Sequence, residues 1–474
     1  MQATMPVSAV ETVIPLDLHS LRAAYLAGTL HPMGVIQSLL QKAQQYSSHN
    51  IWTHLMTEAE FLPYLQALAG KDPTTLPLYG IPFAIKDNID LAGIPTTAAC
   101  PGFAFTPPRS AFVVEQLLKA GAIPLGKTNL DQFATGLVGT RSPEPWGPCR
   151  NALNPEYISG GSSSGSAVAV ALGLVSFSLG TDTAGSGRVP AMLNNIFGLK
   201  PSRGLFSTRG VLPACRSLDC PTVFGLSAVD LHTVFTVAAK SDNEDSYSRP
   251  NPYSNSARQW GLPKRPPRIA IPFAENLEFF GQADAANCYV AAIEQWRAAG
   301  ATVIERDISP LLAAAKLLYA GPWVAERYVA IADFIDEKPE QVHPVVRGII
   351  AAGKDKTAAQ TFKAEYRMQE YRKAAQTLLQ DVDFLLTPTA PGVWTVNEVL
   401  NDPVTLNSRM GYYTNYMNLL DLSGIAVPAG FLNSGVGFGV TMIAPAFRDQ
   451  MLLDYAYQWQ VLRDAPVGKD IKVP

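Results

Sequence analysis

"GGSSSGSAVAVALGLVSFSLGTDTAGSGRVP", residues 160–190, holds two clusters of serine and glycine separated by an apolar run. Such clusters ordinarily mark turns, because glycine reaches backbone angles closed to other residues and serine bonds to its own backbone. Here they flank a run that reads as a buried helix followed by a strand, which a plain connection does not need. The run 166–180 is too short and too broken by glycine to cross a bilayer. Small residues also let backbone N–H groups approach a ligand closely, as an oxyanion hole requires.

The same alternation continues outward from this stretch. "GIPFAIKDNID" (80–90) reads as a strand, and "AFVVEQLLKAGAIPLGK" (111–127) as an amphipathic helix turning at Gly121 into a short strand. Residues from about 17 to 70 read as helices, from the apolar spacing of "LHSLRAAYLAG" and "MGVIQSLLQKAQQY". A polar stretch, 240–267, reads as a surface loop. After it "RIAIPFA", "AANCYVAAIEQWRAAG" and "ATVIERDI" give strand, helix and strand, helices dominate 310–380, and "DFLLTPTAP" and "GIAVPAGF" are buried strands. The pattern predicts an α/β chain with a sheet covered by helices. One domain, 1–474, is expected, with a helical part at 17–70, a core at 75–235 and a second core portion with the substrate pocket at 268–465.

Composition narrows the class. Of 474 residues 47% are hydrophobic and only 16% charged, with a net charge of −3. Neither nucleic acid nor an anionic membrane is expected as partner. Residues 1–18 lack the basic start and continuous apolar run of a signal peptide. The five cysteines are odd in number and scattered; "CRSLDC" (215–220) has no second Cys/His cluster to complete a zinc site, so no metal is expected. Reduced structural thiols in a cytoplasm fit this usage.

"GSSSG" (161–165) satisfies the G-x-S-x-G pattern that would make Ser163 a nucleophile with a histidine base. Only His232 and His343 follow it, one in a helix-like stretch and one beside a proline, and neither lies in a glycine-rich or acidic loop. An enzyme without histidine can use lysine once burial lowers its pKa. Lys86 ends the apolar run "GIPFAIK" and qualifies.

"GIPFAIKDNI", "GGSSSGS" and "GTDTAGSGRVP", in this order, resemble the amidase signature family over nearly the whole chain. The resemblance implies a central mixed β-sheet with α-helices on both faces and a Ser–cis-Ser–Lys triad that cleaves amides without a cofactor. By position Ser186 is the nucleophile, Ser162 the bridging serine and Lys86 the base. Ser186 stands 24 positions after Ser162, the family's spacing. The backbone N–H groups of Thr183, Ala184, Gly185 and Ser186 would form the oxyanion hole. The family commonly has two glycines where this chain has Ala184-Gly185.

Within the family, "SRGLFSTRGVLPACRSLDCPTVFGLSAVDL" (202–231) and "LLYAGPWVAERY" (317–328) resemble the allophanate hydrolases. The resemblance assigns Tyr319 and Arg327 to the substrate carboxylate and Gly136 to a backbone contact with the substrate. It implies a small-molecule substrate and hydrolysis of the terminal amide of allophanate, with ammonia released. Hydrolysis of biuret or carboxybiuret, or a role within a glutamine-dependent amidotransferase, are the alternatives. The pathway, urea or triazine breakdown, stays open, as does a homodimer. Such enzymes commonly carry a further C-terminal domain, and "DAPVGKDIKVP" stands where it would begin.

"GAIPLGKT" (121–128) fits G-x-x-x-x-G-K-[ST], a phosphate-cradling loop. Such a loop follows a strand and opens a helix. Here a helix precedes the motif and its centre is strand-like with a proline, so a scaffold strand is expected and no ATP.

Overall fold

The computed structural model describes residues 14–253 and 265–473. The signal-peptide reading of the first residues falls mostly outside them, as does the middle of the 240–267 loop. Eleven strands form one sheet: β1 (Trp52–Leu55), β2 (Pro82–Lys86), β3 (Ile123–Thr128), β4 (Phe177–Asp182), β5 (Phe197–Lys200), β6 (Cys220–Gly225), β7 (Arg268–Pro272), β8 (Thr302–Arg306), β9 (Phe384–Pro388), β10 (Leu422–Phe431) and β11 (Gly437–Pro445). Their spatial order is β1-β3-β2-β4-β6-β5-β10-β11-β9-β7-β8. The sheet is mixed: β3, β2 and β4 run parallel, the middle is antiparallel, and β9, β7 and β8 are parallel again.

Every residue of β2, β3, β4, β6 and β9 is buried, so both faces of the sheet are covered. The helix Ser164–Ala171, small and apolar all round, is buried at every position. It joins β3 to β4 across β2. As β2 and β4 are parallel neighbours, Lys86 and Asp182 end them on the same side of the sheet, where open α/β sheets place their ligands.

Residues 17–70 depart from the helical expectation. Helices Leu18–Leu26, Pro32–Gln45 and Glu58–Gln66 are present, but β1 lies among them. This four-residue edge strand is created by a distant partner, pairing antiparallel with β3. Gly126 permits the approach: a Cβ there would stand 2.4 Å from the His54 carbonyl oxygen. The glycine of the nucleotide-like motif therefore serves strand packing. Lys127, in the same strand, is fully buried and pairs with Asp87 at 2.9 Å. The motif is strand, as expected, and its lysine is committed to an internal carboxylate.

Five helices between β8 and β9 (Ser309–Ala320, Val324–Ala330, Ala332–Glu337, Pro344–Ala351 and Ala358–Leu378) form a cap. A separate apolar cluster of Ile331, Ile335, Val342, Val346 and Ile350 with Phe133 fastens the cap to the 132–136 segment. The Phe133 and Phe334 rings both meet Phe103 edge-on at 5.2 Å. The cap is thus locked to a loop that reaches the ends of β2 and β4.

Candidate active site

Lys86, the last residue of β2, is wholly buried, with Nζ 2.7 Å from Ser162 Oγ and 2.7 Å from Thr181 Oγ1. Burial pushes its pKa down to about 7, while the carboxylates of Asp131, Asp219 and Asp182 pull the other way. Near neutrality a substantial share of this lysine is uncharged and able to accept a proton.

Ser162 follows a cis peptide bond from Gly161. Position 161 has no room for a side chain, because a Cβ would stand 2.0 Å from Asp131 Oδ2. Asp131 braces this turn: its N–H donates to the Ser162 carbonyl, and its carboxylate accepts from the N–H groups of Gly139 and Arg141. Ser163, the rival nucleophile, is absorbed by the scaffold, donating to the Thr181 carbonyl and accepting from the Thr181 N–H. His232 bonds to Gln450, and His343 bonds through its backbone N–H to Gln132.

Past the end of β4 the chain bends through Thr183, Ala184, Gly185 and Ser186, all buried. Among the described residues the N–H groups of Ala184, Gly185 and Ser186 make no hydrogen bond to the protein. Buried backbone donors are nearly always paired, so three free ones in succession are available to an incoming oxygen. Gly185 has φ +142°, and a Cβ there would meet Thr414 Oγ1 at 2.4 Å. The single glycine of Ala184-Gly185 thus stands at the position that demands it. The Arg188 guanidinium anchors the bend by a two-pronged bond to Asp182, at 2.8 and 3.0 Å.

Ser186 Oγ donates to the Gly136 carbonyl at 3.5 Å, a long bond, and makes none with Ser162. Lys86 and Ser162 are therefore brought together, and Ser186 and Gly136 are brought together, with the second serine turned toward the 132–136 loop. Next to Gly136, Thr135 Oγ1 accepts from Arg327 Nη1 at 3.1 Å. Arg327 Nη2 lies 3.5 Å from the Tyr319 hydroxyl, with its guanidinium 5.3 Å from the centre of that ring. Arg327 is 2% exposed, makes no ion pair among the described residues, and its buried Nε has no partner. A buried guanidinium without a carboxylate is rare and electrostatically incomplete.

Three residues at this place escaped the sequence reading. Thr181 shares the Lys86 ammonium with Ser162, Thr135 carries Arg327, and Asp219 bonds to Thr183 Oγ1 at 2.5 Å. Asp219 lies inside "CRSLDC", where neither the cysteine spacing nor the resemblance of 202–231 gives the aspartate a role.

Residues 34–453 match the model of the Amidase family. Urea amidolyase of Saccharomyces cerevisiae is 46% identical over 429 residues, covering 90% of this chain but 23% of that protein. This chain thus spans less than a quarter of the length of that relative. One of the subunits of the glutamyl-tRNA(Gln) amidotransferase of Synechococcus is 33% identical, with 82% of this chain and 84% of that one aligned. The solved structure of Kluyveromyces lactis allophanate hydrolase superposes with a TM-score of 0.90 at 41% identity, over 97% of this chain and 75% of that one. With a mixed, helix-covered sheet and matches extending over most of its length, the chain belongs to the amidase family.

Proposed function

We propose that the chain hydrolyses the terminal amide of allophanate, with Ser186 as nucleophile, Ser162 as proton bridge and Lys86 as base. The Ser186 hydroxyl swings from the Gly136 carbonyl toward Ser162, gives up its proton along Ser162 to neutral Lys86, and attacks the amide carbon. The developing oxyanion is met by the N–H groups of Thr183, Ala184, Gly185 and Ser186. The proton returns along the same path to the leaving nitrogen, and ammonia departs. Water then attacks the acyl-enzyme, its proton taken by the same relay, and frees Ser186 with N-carboxycarbamate, which loses carbon dioxide.

One observation carries the choice of substrate: among the described residues the buried Arg327 has no carboxylate partner, and it adjoins the Gly136–Ser186 contact through Thr135. A substrate carboxylate completes it, with Tyr319 adding a hydrogen bond and Gly136 a backbone contact. Allophanate is a small urea bearing such a group. The 41% and 46% identities to an allophanate hydrolase and a urea amidolyase support this reading. The five cysteines are free and four of them are buried, which suits a reducing cytoplasm. Among the described residues no helix is long and apolar enough to cross a membrane.

The test is ammonia release by the purified chain from allophanate, biuret, malonamide and glutamine, with Ser186→Ala as blank. Allophanate should exceed the others by at least a hundredfold in kcat/KM. A preference for glutamine would point instead to the amidotransferases, one of whose subunits the chain also resembles.

A further inference from the structure

The loop Ala214–Asp219 touches both halves of the site. At one end the Asp219 carboxylate is held by the N–H groups of Ala214 and Cys215 and receives the Thr183 hydroxyl at 2.5 Å. Thr183 opens the bend with the free backbone donors. The Asn418 amide clamps the same junction, donating to the carbonyls of Asp182 and Leu218 at 2.7 and 2.8 Å. Farther along the loop, Cys215 Sγ and Ser217 Oγ both donate to Glu326 Oε2 at 2.7 Å. Glu326 precedes Arg327 on its helix.

We propose that Asp219 is a positioning residue for the reaction: through Thr183 it fixes the oxyanion bend, and through its own loop and Glu326 it sets the distance from that bend to Arg327. This rests on the reading of the site given above. The physical need is plain. A small substrate gripped at its carboxylate by a cap helix must present its amide carbon to donors on the sheet, and an error near 1 Å costs about a hundredfold in rate. The two elements do not share a strand or helix, so a third must tie them, and this loop bonds to both.

The charge of Asp219 has a second consequence. Lys86 is faced by the carboxylates of Asp131, Asp219 and Asp182 and by the Arg327 guanidinium. Asp219 is itself buried, with the Thr183 hydroxyl and two backbone N–H groups on it and Arg327 nearby; burial outweighs them and raises its pKa to about 6. When ionised, Asp219 holds the proton on Lys86.

The experiment compares Asp219→Ala, Asp219→Asn and Thr183→Val with wild type, each checked for folding by circular dichroism. Two reactions are followed. One is turnover of allophanate. The other is labelling of Ser186 by a fluorophosphonate, in which the serine oxygen displaces fluoride at phosphorus and no substrate carboxylate takes part. Asp219→Ala should slow labelling and lower kcat by about a hundredfold, the scale of losing an oxyanion donor. Thr183→Val should do the same through the other end of the bond. Asp219→Asn should recover part of the rate and move the acid limb of kcat/KM to lower pH, because the charge that holds the Lys86 proton is gone. Folded Asp219→Ala that labels at the wild-type rate overturns the proposal. So does an unmoved acid limb in Asp219→Asn, which would leave the residue a merely structural role. Slow labelling in the variants of a wild type that ignores allophanate would uphold Asp219 and sink the substrate assignment alone.

Discussion

Replacing Arg327 tests the substrate assignment most directly. Arg327 is 2% exposed, and among the described residues its guanidinium bonds to two hydroxyls, those of Thr135 and Tyr319. A bound carboxylate would be its counter-charge in a largely desolvated place. Removing one partner of a buried ion pair costs about 3 to 5 kcal/mol. At about 1.4 kcal/mol per decade this is some two to four decades in kcat/KM for allophanate. Arg327→Lys should also lose much of the rate, because an ammonium cannot meet two oxygens with a planar fork. Tyr319→Phe deletes one hydrogen bond to a charged group, about 1.5 to 3 kcal/mol, so its loss is smaller, roughly one to two decades. The assay is ammonia release from allophanate and from malonamide, a neutral diamide, by wild type and Arg327→Ala. Malonamide never uses the carboxylate contact, and its slow hydrolysis should persist. Equal fractional losses on both substrates would show that Arg327 serves the fold or the chemistry in general, and the allophanate assignment would lose its structural support.

Three further outcomes follow from the same geometry. Ser186→Ala should abolish turnover, and Ser162→Ala and Lys86→Ala should each cost several orders of magnitude, while His343→Ala stays active; a folded but dead His343→Ala would restore a histidine base. In wild type kcat/KM should rise through pH 7 and level off by about pH 8, because Lys86, pushed down to about 7, works in its neutral form; a profile flat from pH 5 to 9 would refute the lysine base. Lys127→Ala should cost about 3 to 5 kcal/mol in urea denaturation, since it strands the buried Asp87 carboxylate, with no change in ATP response; saturable ATP binding lost in this variant would reinstate the nucleotide loop.

What could be read from the sequence is what depends on local pattern. The strand-then-lysine of "GIPFAIK", the helix Phe112–Lys119 turning at Gly121, and the buried helix and strand of 164–182 all follow from apolar spacing and glycine. The candidate triad positions, Lys86, Ser162 and Ser186, came from the resemblance of three ordered motifs to a known family and not from local pattern. β1 was not legible, since four half-buried residues carry no period and gain strand character only from β3. β11, a second long strand beside β10, also went unread: "GFGVTMIAP" has glycines that weaken a strand signal, and these hide a hairpin with β10, which ends at Phe431. Thr135, Thr181 and Asp219 went unnoticed for a related reason. A lone threonine or aspartate has no signature, and its partners stand 192, 95 and 36 positions away.

The proposed lysine base requires burial to outweigh the carboxylates around it without removing their effect, and it brings Lys86 down to about 7. Burial alone would drive the ammonium far below its ordinary value, since an isolated charge in a dry interior is very costly. Three carboxylates restrain the fall: Asp131 behind the Gly161–Ser162 turn, Asp182 at the end of β4, and Asp219 under Thr183. Their bonds to other groups differ, and so do their strengths. Asp182 is largely spent on Arg188, and against the effect of burial that pairing holds its pKa below the usual range. Among the described residues no cation is bonded to Asp219, and burial raises it to about 6. Of Asp182 and Asp219 it is thus the one whose charge can change near neutral pH. A substrate carboxylate at Arg327 would draw off part of the cation that keeps Asp219 ionised, so Asp219 would take up a proton as the substrate binds. The charge of the substrate would then replace that of Asp219 around Lys86 instead of adding to it. A fourth anion would hold the proton on the lysine, and this exchange spares the base that cost at the moment the amide arrives. This predicts proton uptake on binding of propionate, a carboxylate with no amide to hydrolyse. Calorimetry at pH 6.5 in buffers of different ionisation enthalpy should show it for wild type and lose most of it in Asp219→Asn; equal uptake in both proteins, or heats independent of the buffer in both, would refute the link.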